Sequence, residues 1–176
     1  LKDATRVANV IKVASPAQEG SHLGPVVSEM QYNKIQQMIQ IGIDEGATLI
    51  AGGLGKPQGL DKGYYVKPTI FANANNQMRI VREEIFGPVL TVQVVDGVSE
   101  AIEAANCTNF ALAAGVYTQN ISDALRLSRS IDSGQITVND YWAGGIEVPF
   151  GGNRQSGIGR EKGVEALRNY CSTKSI

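Results

Sequence analysis

Hydrophobic residues recur along the chain at two spacings, one typical of helices and one typical of strands. In the first half, helical spacing predicts a helix at residues 1–13 and a second helix that begins after the N-cap Ser28 and ends near Gly46. Short apolar runs predict strands at residues 47–51, 64–71 and 90–95, the last of them buried. Because Pro68 lacks a backbone N–H, the strand at 64–71 is expected at a sheet edge.

Helices and strands alternate in the second half of the chain. Helices are predicted at residues 98–106, with Ser99 as the N-cap, at 123–131 and at 161–170. Strands are predicted at residues 113–118, 135–138 and 171–176. This alternation predicts an α/β fold in which helices flank a mostly parallel sheet, and no linker divides the chain in two.

Residues 139–163 contain seven glycines and are predicted to form a loop rather than a packed element. Glycine allows backbone to approach a ligand or another backbone closely. The loop follows the strand predicted at 135–138, and ligands of open α/β sheets bind beyond the carboxyl ends of the strands. We therefore expect this loop to border a binding site.

Glu84, Ile85 and Phe86 stand just before the strand predicted at 90–95. If this stretch is extended, the side chains of Glu84 and Phe86 leave the backbone on the same side. A carboxylate accepts hydrogen bonds from a ribose diol, and a phenyl ring packs on a flat heteroaromatic ring. The pair therefore suits a nicotinamide riboside. The alternative is that Glu84 is a solvated loop acid and Phe86 an ordinary core residue.

Composition and charge exclude several classes of function. The chain has 176 residues, 43% hydrophobic and 19% charged, which is typical of one soluble globular domain. A net charge of -1 without a Lys/Arg cluster argues against binding to nucleic acid or to an anionic membrane. No apolar run approaches the roughly 20 residues that a membrane-spanning helix needs.

Cysteine and histidine are scarce. Cys107, Cys171 and His22 are too few for a structural metal site, so no metal is predicted. Few cysteines and the lack of a secretory signal favour a cytoplasmic location, although a missing N-terminus could have carried a targeting segment. Because the chain opens on Leu1 rather than Met, we expect it to be truncated on the N-terminal side.

Several motifs occur in the order typical of one family. They are Leu-Gly-Pro at 23–25, Gln-Tyr-Asn-Lys-Ile at 31–35, the glycine-bounded stretch 42–53, Glu-Ile-Phe-Gly-Pro at 84–88, Asn139, Pro-Phe-Gly-Gly at 149–152, Ser-Gly-Ile-Gly-Arg-Glu at 156–161, and Tyr170, Lys174 and Ile176. With these motifs the chain resembles the NAD(P)-dependent aldehyde dehydrogenase superfamily. The resemblance implies that residues 1–169 are the later part of the catalytic domain. It also implies that residues 170–176 begin a C-terminal oligomerisation strand of a homo-oligomer.

The resemblance implies a binding site for NAD or NADP, between which the sequence does not choose. Glu84 would bind the hydroxyls of the nicotinamide ribose, and Phe86 would pack near the nicotinamide. Gln31 matches a family position near the ribose, and Lys34 lies one helical turn further on. For Gln31 and Lys34 the alternative is a solvated helix face.

Three residues of the glycine-rich loop are candidates for contact with an aldehyde substrate. Phe150 matches an aromatic residue that lines the family's aldehyde pocket, although it could instead anchor the loop in the core. Trp142 could face the substrate or a neighbouring subunit. Arg154 could receive the carboxylate of an acidic aldehyde or could be an ordinary loop arginine.

The residues that perform the family's chemistry are not found among these motifs. Family members attack the aldehyde with a cysteine thiolate and transfer a hydride to the nicotinamide. Cys107 and Cys171 do not stand in the nucleophile motif, so no catalytic residue is predicted. The expected function is a segment of an enzyme that oxidises an aldehyde to a carboxylic acid through a cysteine thioester, with the nucleophile outside this chain. The alternative is a catalytically inactive short paralogue that serves as an oligomerisation or regulatory partner.

Overall fold

The computed structural model describes residues 1–141 and 144–176. The chain folds into two compact units, Leu1–Val94 and Val95–Ile176, which we call the first and second units. Both units combine helices with short strands, so the predicted α/β class is confirmed. Parallel pairing joins Thr69–Ala72 to Val89–Thr91 and Ala113–Val116 to Gln135–Val138. Antiparallel pairing joins Thr48–Ala51 to Thr69–Ala72 and Phe110–Ala111 to Asn153–Arg154.

The first unit contains three helices and one sheet. Its helices are α1 (Lys2–Val10), α2 (Glu29–Asp44) and α3 (Arg79–Arg82), and its strands are β1 (Thr48–Ala51), β2 (Thr69–Ala72) and β3 (Val89–Thr91). Helix α2 begins where predicted because the Ser28 hydroxyl accepts a hydrogen bond from the Gln31 N–H at 3.2 Å. The buried face of α2 joins a hydrophobic core that includes Ile35, Ile39 and Phe71.

Two predictions about this sheet are wrong. Strand β2 lies at the centre, between β1 and β3, and all four of its residues are buried. Pro68 precedes β2 by one position, so its missing N–H removes no bond from the sheet and does not force an edge. The strand predicted as buried at 90–95 is the short outer strand β3, in which Leu90 is exposed.

The second unit contains two α-helices, a 3₁₀ helix and two small sheets in its described part. Its helices are α4 (Val98–Asn106), α5 (Ile121–Ser130) and a 3₁₀ helix at Val164–Tyr170, and its strands are β4 (Phe110–Ala111), β5 (Ala113–Val116), β6 (Gln135–Val138) and β7 (Asn153–Arg154). The β4–β7 pairing attaches part of the glycine-rich loop to the segment that follows α4.

Three sequence predictions for the second unit need correction. Gly97, not Ser99, is the N-cap of α4, and Ser99 Oγ instead accepts a hydrogen bond from Arg126 Nη2 at 2.8 Å. The helix predicted at 161–170 is a 3₁₀ helix that begins only after Gly163, whose φ is 60°. Residues 171–176 are exposed and form no strand, because no described residue offers them a backbone with which to pair.

No helix of the described residues is both long enough and apolar enough to cross a lipid bilayer.

Candidate functional site

Residues 84–87, which we call the 84–87 loop, connect α3 to β3 and present two exposed side chains. Ile85 is buried in the hydrophobic core of the first unit, whereas Glu84 and Phe86 on either side of it are exposed. The Phe86 residue is 68% exposed. Leaving a phenyl group in water forgoes roughly 1.5–3 kcal/mol of burial free energy. Other aromatic side chains, such as Tyr117 at 68%, are equally exposed, so exposure alone does not single out Phe86. Its position beside Glu84 on an anchored loop makes the pair a candidate binding surface.

The backbone at Phe86 is not extended. Its φ is 57°, in the left-handed region that bulky residues rarely adopt. The sequence argument that alternation brings Glu84 and Phe86 to one side therefore does not hold. Glu84 and Phe86 are exposed instead because Ile85 between them is buried and the backbone turns at Phe86.

Gly87 permits the loop to lie against helix α2. A Cβ atom at this position would stand only 2.5 Å from Ile35 Cδ1 and 2.8 Å from Ile35 Cγ1. Ile35 is fully buried and cannot yield space easily. Glycine is required here because of this close approach.

Side chains of helix α2 also donate hydrogen bonds to the carbonyl oxygens of the 84–87 loop. Gln31 Nε2 donates to the carbonyl oxygens of Ile85 and Phe86, both at 3.0 Å. Lys34 Nζ donates to the carbonyl oxygen of Glu84 at 2.9 Å. Gln31 and Lys34 are three residues apart and so lie on one side of the helix. Together they bind three consecutive carbonyl groups of the loop.

Glu83, the residue just before the loop, forms an ion pair with Arg79. Arg79 Nη2 donates to Glu83 Oε2 at 3.2 Å, one helical turn further along. This hydrogen bond lowers the pKa of Glu83 below its ordinary value, against the opposing effect of partial desolvation. The charges of Arg79, Lys34 and Arg82 lower the pKa of Glu83 further. The residue that precedes the loop is therefore a carboxylate whose ionised form is favoured by its hydrogen bond to Arg79.

In the second unit, the glycine-rich loop contains Phe150. Its backbone exchanges two hydrogen bonds with Glu161, of 2.8 and 2.7 Å, and its ring is partly buried. Lys162 Nζ stands 5.8 Å from the ring centroid. Phe150 and the surrounding glycine-rich backbone line an open cavity of about 300 Å³.

Two arginines hold the glycine-rich loop in place. Arg160 Nη1 donates to the carbonyl oxygens of Gly152 and Gly159 at 2.7 and 2.8 Å. Arg154 Nε donates to Asp132 Oδ2 at 2.7 Å, and its Nη1 donates to the carbonyl oxygens of Asn106 and Thr108. Because Arg154 is engaged by a carboxylate and two carbonyl groups of its own unit, these contacts favour the structural alternative for this residue.

The remaining candidates are placed as follows. Asn139 adopts φ 57°, and its side chain exchanges hydrogen bonds of 2.9 Å with the N–H and C=O of Thr118, which connects the ends of β5 and β6. Cys107 and Cys171 are exposed free thiols. Trp142 lies outside the described residues. Among the residues that the structure does describe, no group of three His, Cys, Asp or Glu side chains could hold a metal ion.

The sequence reasoning missed the contacts that Lys34 and Arg160 make. The i, i+3 spacing of Gln31 and Lys34 indicated a shared helix face, but their carbonyl partners lie about fifty positions further along the chain. Every residue has a backbone carbonyl group, so the sequence does not indicate which one accepts a hydrogen bond from a distant side chain. Only the packing of α2 on the 84–87 loop reveals the contact.

The model of the aldehyde dehydrogenase family matches residues 1–176 of this sequence, which is the whole chain. The chain belongs to the aldehyde dehydrogenase family. Solved aldehyde dehydrogenases have the same fold. The enzyme from Bartonella henselae is 44% identical with a TM-score of 0.94, and the match covers 98% of this chain and 36% of that enzyme.

Aldehyde dehydrogenase C of Pseudomonas syringae, solved as a C291A mutant in complex with NAD+ and octanal, is 42% identical with a TM-score of 0.92. That match covers 98% of this chain and 35% of the enzyme. A Staphylococcus saprophyticus relative is 45% identical over 167 residues, which make up 94% of this chain and 35% of the relative. This aldehyde dehydrogenase chain thus spans about a third of the length of the relatives it matches.

Proposed function

We propose that this chain acts as part of an NAD(P)+-dependent aldehyde dehydrogenase that oxidises an aldehyde to a carboxylic acid. The observation that carries the proposal is the 84–87 loop, on which Glu84 and Phe86 are exposed while Ile85 anchors the backbone. Family membership supports the same reaction class. The complex of the Pseudomonas syringae enzyme with NAD+ and octanal supplies a relative in which both reactant classes are bound.

The residues of the 84–87 loop fit a nicotinamide riboside. The Glu84 carboxylate offers two acceptor oxygens for a ribose diol, and the Phe86 ring offers a flat apolar surface for the nicotinamide. Gln31 contacts the backbone of the same loop, where its Nε2 donates to two carbonyl oxygens, and its side-chain oxygen is proposed as a further acceptor for the ribose. The nicotinamide, when bound, supplies the hydride acceptor. These protein residues bind and orient it.

On the substrate side, we assign Phe150 and Trp142 to the aldehyde-binding surface. Phe150 supports this assignment by lining the open cavity of the glycine-rich loop. We further propose that residues 1–169 belong to the catalytic domain and that 170–176 pair with another subunit of a cytoplasmic homo-oligomer. Residues 171–176 are exposed and have no strand partner among the residues that the structure describes, which supports the pairing.

The test of this function is the substitution Glu84→Gln in the complete gene product. Replacing the carboxylate by an amide weakens hydrogen bonds to a ribose diol, which are worth about 1.5–3 kcal/mol when one partner is charged. We therefore expect kcat/KM for NAD+ to fall roughly 10-fold to 100-fold. The measurement is aldehyde-dependent NADH formation followed at 340 nm.

Glu83→Gln is the matched control, because it removes the neighbouring carboxylate, which is bound to Arg79 rather than assigned to the cofactor. It should keep kcat/KM close to the wild-type value. An unchanged kcat/KM in Glu84→Gln would contradict the role of Glu84. Absence of aldehyde-dependent NADH formation in the wild-type protein across aliphatic and aromatic aldehydes would refute the function itself.

A further inference from the structure

We propose that Lys34 is a positioning residue for hydride transfer: it fixes the backbone of Glu84, and with Gln31 it sets the orientation of the cofactor-facing side chains. This inference rests on the proposed function and extends it to a residue that does not itself face the cofactor. Lys34 Nζ lies 2.9 Å from the carbonyl oxygen of Glu84, and its side chain is otherwise exposed.

The helix that carries Lys34 is a rigid support. Ser28 caps its first turn, and Ile35, Met38 and Ile39 fix its inner face in the core of the first unit. Side chains from two successive turns therefore reach the loop from a backbone that cannot shift independently. An ammonium donor on such a support forms a charge-assisted bond, which is stronger than a neutral one.

The 84–87 loop needs such support because its own conformation is unfavourable. Phe86 holds a left-handed backbone that a phenylalanine rarely adopts, and such residues persist only where surrounding contacts over-determine them. Ile85 is held by burial and Gly87 by its approach to Ile35. Glu84 has an exposed side chain, so its backbone is held at the carbonyl by Lys34.

Loss of the Lys34 bond should therefore free Glu84 more than its neighbours. The Gln31 bonds would still hold the carbonyl groups of Ile85 and Phe86. A carboxylate on a mobile backbone still accepts hydrogen bonds from a ribose, but it holds the attached nicotinamide less accurately. The affinity for the cofactor should therefore fall less than the rate of hydride transfer, because hydride transfer depends on the alignment of the nicotinamide.

The experiment compares Lys34→Met with Lys34→Arg and Lys67→Met in the complete gene product. Methionine keeps the length of the side chain without its donor, and arginine restores a cationic donor. Lys67 Nζ donates to the carbonyl oxygen of Leu54 at 2.7 Å, so Lys67→Met removes the same type of bond elsewhere in the first unit. It controls for a merely structural effect of losing a lysine–carbonyl bond.

Two readouts are required. Hydrogen–deuterium exchange of the peptide containing residues 84–89, measured without cofactor, reports whether the loop is held. Steady-state kinetics with an aldehyde and its deuterated form report kcat, KM for NAD+ and the primary isotope effect. In Lys34→Met we expect exchange to rise about tenfold, the fold-change that matches loss of one charge-assisted hydrogen bond. We also expect kcat to fall about tenfold with a larger isotope effect, while KM for NAD+ changes less than about threefold.

Each outcome decides the inference. It is supported if Lys34→Arg restores both readouts and Lys67→Met leaves both at wild-type values. Unchanged exchange in Lys34→Met would show that the loop is held without Lys34, which overturns the inference. Faster exchange with a normal kcat and isotope effect would show that the bond from Lys34 to the Glu84 carbonyl oxygen does not affect hydride transfer. That result would also overturn the inference. A wild-type protein without activity refutes the proposed function and the inference with it, whereas an active wild type with a normal Lys34→Met refutes the inference alone.

Discussion

The two units of this chain are stabilised by different interactions. The first unit is organised around an apolar cluster, and its largest fully buried side chains are Phe71, Ile35, Ile39 and Thr69. In the described part of the second unit, the buried hydrophobic residues are the smaller Ala111, Val116 and Ala124. There, arginine hydrogen bonds to carbonyl and carboxylate groups hold the glycine-rich loop.

The difference teaches how each unit can present a binding surface. A packed core allows the first unit to expose Glu84 and Phe86 at fixed positions, because the intervening Ile85 is anchored. A glycine-rich backbone has few side chains to bury, so the second unit depends on polar contacts that are individually weaker. Loss of a side chain should therefore cost more stability in the first unit than in the second.

The largest expected effect is that of Phe71→Ala. Phe71 is fully buried at the centre of the first unit's core, and deletion of such a ring typically costs about 3–5 kcal/mol of unfolding free energy. Phe110→Ala in the second unit is the matched substitution, since Phe110 is only partly buried and should cost less. Urea denaturation followed by circular dichroism measures both. Equal losses for the two variants would remove the proposed contrast between the units.

An intermediate effect is expected for Arg154→Met. The substitution removes an ion pair with Asp132 and two hydrogen bonds to carbonyl groups, at a side chain that is 37% exposed. We expect a loss of about 1–3 kcal/mol of unfolding free energy, lower in high salt. Lys34 and Gln31 lie in the other unit, so residues 84–89 should keep their wild-type deuterium exchange.

Arg154→Lys sharpens this prediction. Lysine keeps the charge but lacks the planar fork that reaches several acceptors at once, so it should recover only part of the lost stability. Full recovery by lysine would mean that charge alone, rather than the shape of the hydrogen-bonding group, holds the β7 segment. The comparison uses the same urea denaturation series.

The smallest effect concerns the exposed pair Arg79 and Glu83. The pKa of Glu83 is lowered in the folded protein, chiefly by its hydrogen bond to Arg79. Its contribution to stability is therefore present above the ordinary glutamate pKa of about 4.3 and is lost as the pH falls through the lowered value. The melting temperatures of wild type and Arg79→Met should converge as the pH falls below about 4. Lys62→Met serves as the control, because Lys62 is exposed and is not among the charges that lower the pKa of Glu83. A difference that persists at low pH would contradict the assignment.

Much of the local structure could be predicted from the sequence. Ser28 and the helical spacing of Ile35 and Ile39 predicted α2, and the strand predicted at 135–138 is β6 with the same bounds. The glycines of the loop predict backbone that lies close to a ligand or to another backbone. The second alternative is observed at one position, where a Cβ atom on Gly134 would overlap the Gly151 carbonyl oxygen. Apart from this close approach, the features predicted correctly depend on residues near one another in the chain.

The predictions that failed depend on distant partners. Whether the strand after Pro68 lies at an edge depends on β1 and β3, which are placed by the core rather than by the proline. Ser99 was taken as a cap because of its residue type, but Arg126 from α5 engages its hydroxyl. Residues 171–176 are predicted as a strand, but they pair with no backbone among the described residues.

The candidate site shows the same division. The sequence by itself determined which chemical groups are available: an acid, an aromatic ring and a Gly-Pro corner in the family's order, and hence the family. Only the tertiary structure decided how they are presented. It turned Phe86 into the left-handed region, buried Ile85 between two exposed neighbours, and placed Gln31 and Lys34 on the loop's carbonyl groups. The physical reason is that composition and spacing specify local preferences. The conformation of a short loop is instead set by the rigid elements that bind its backbone.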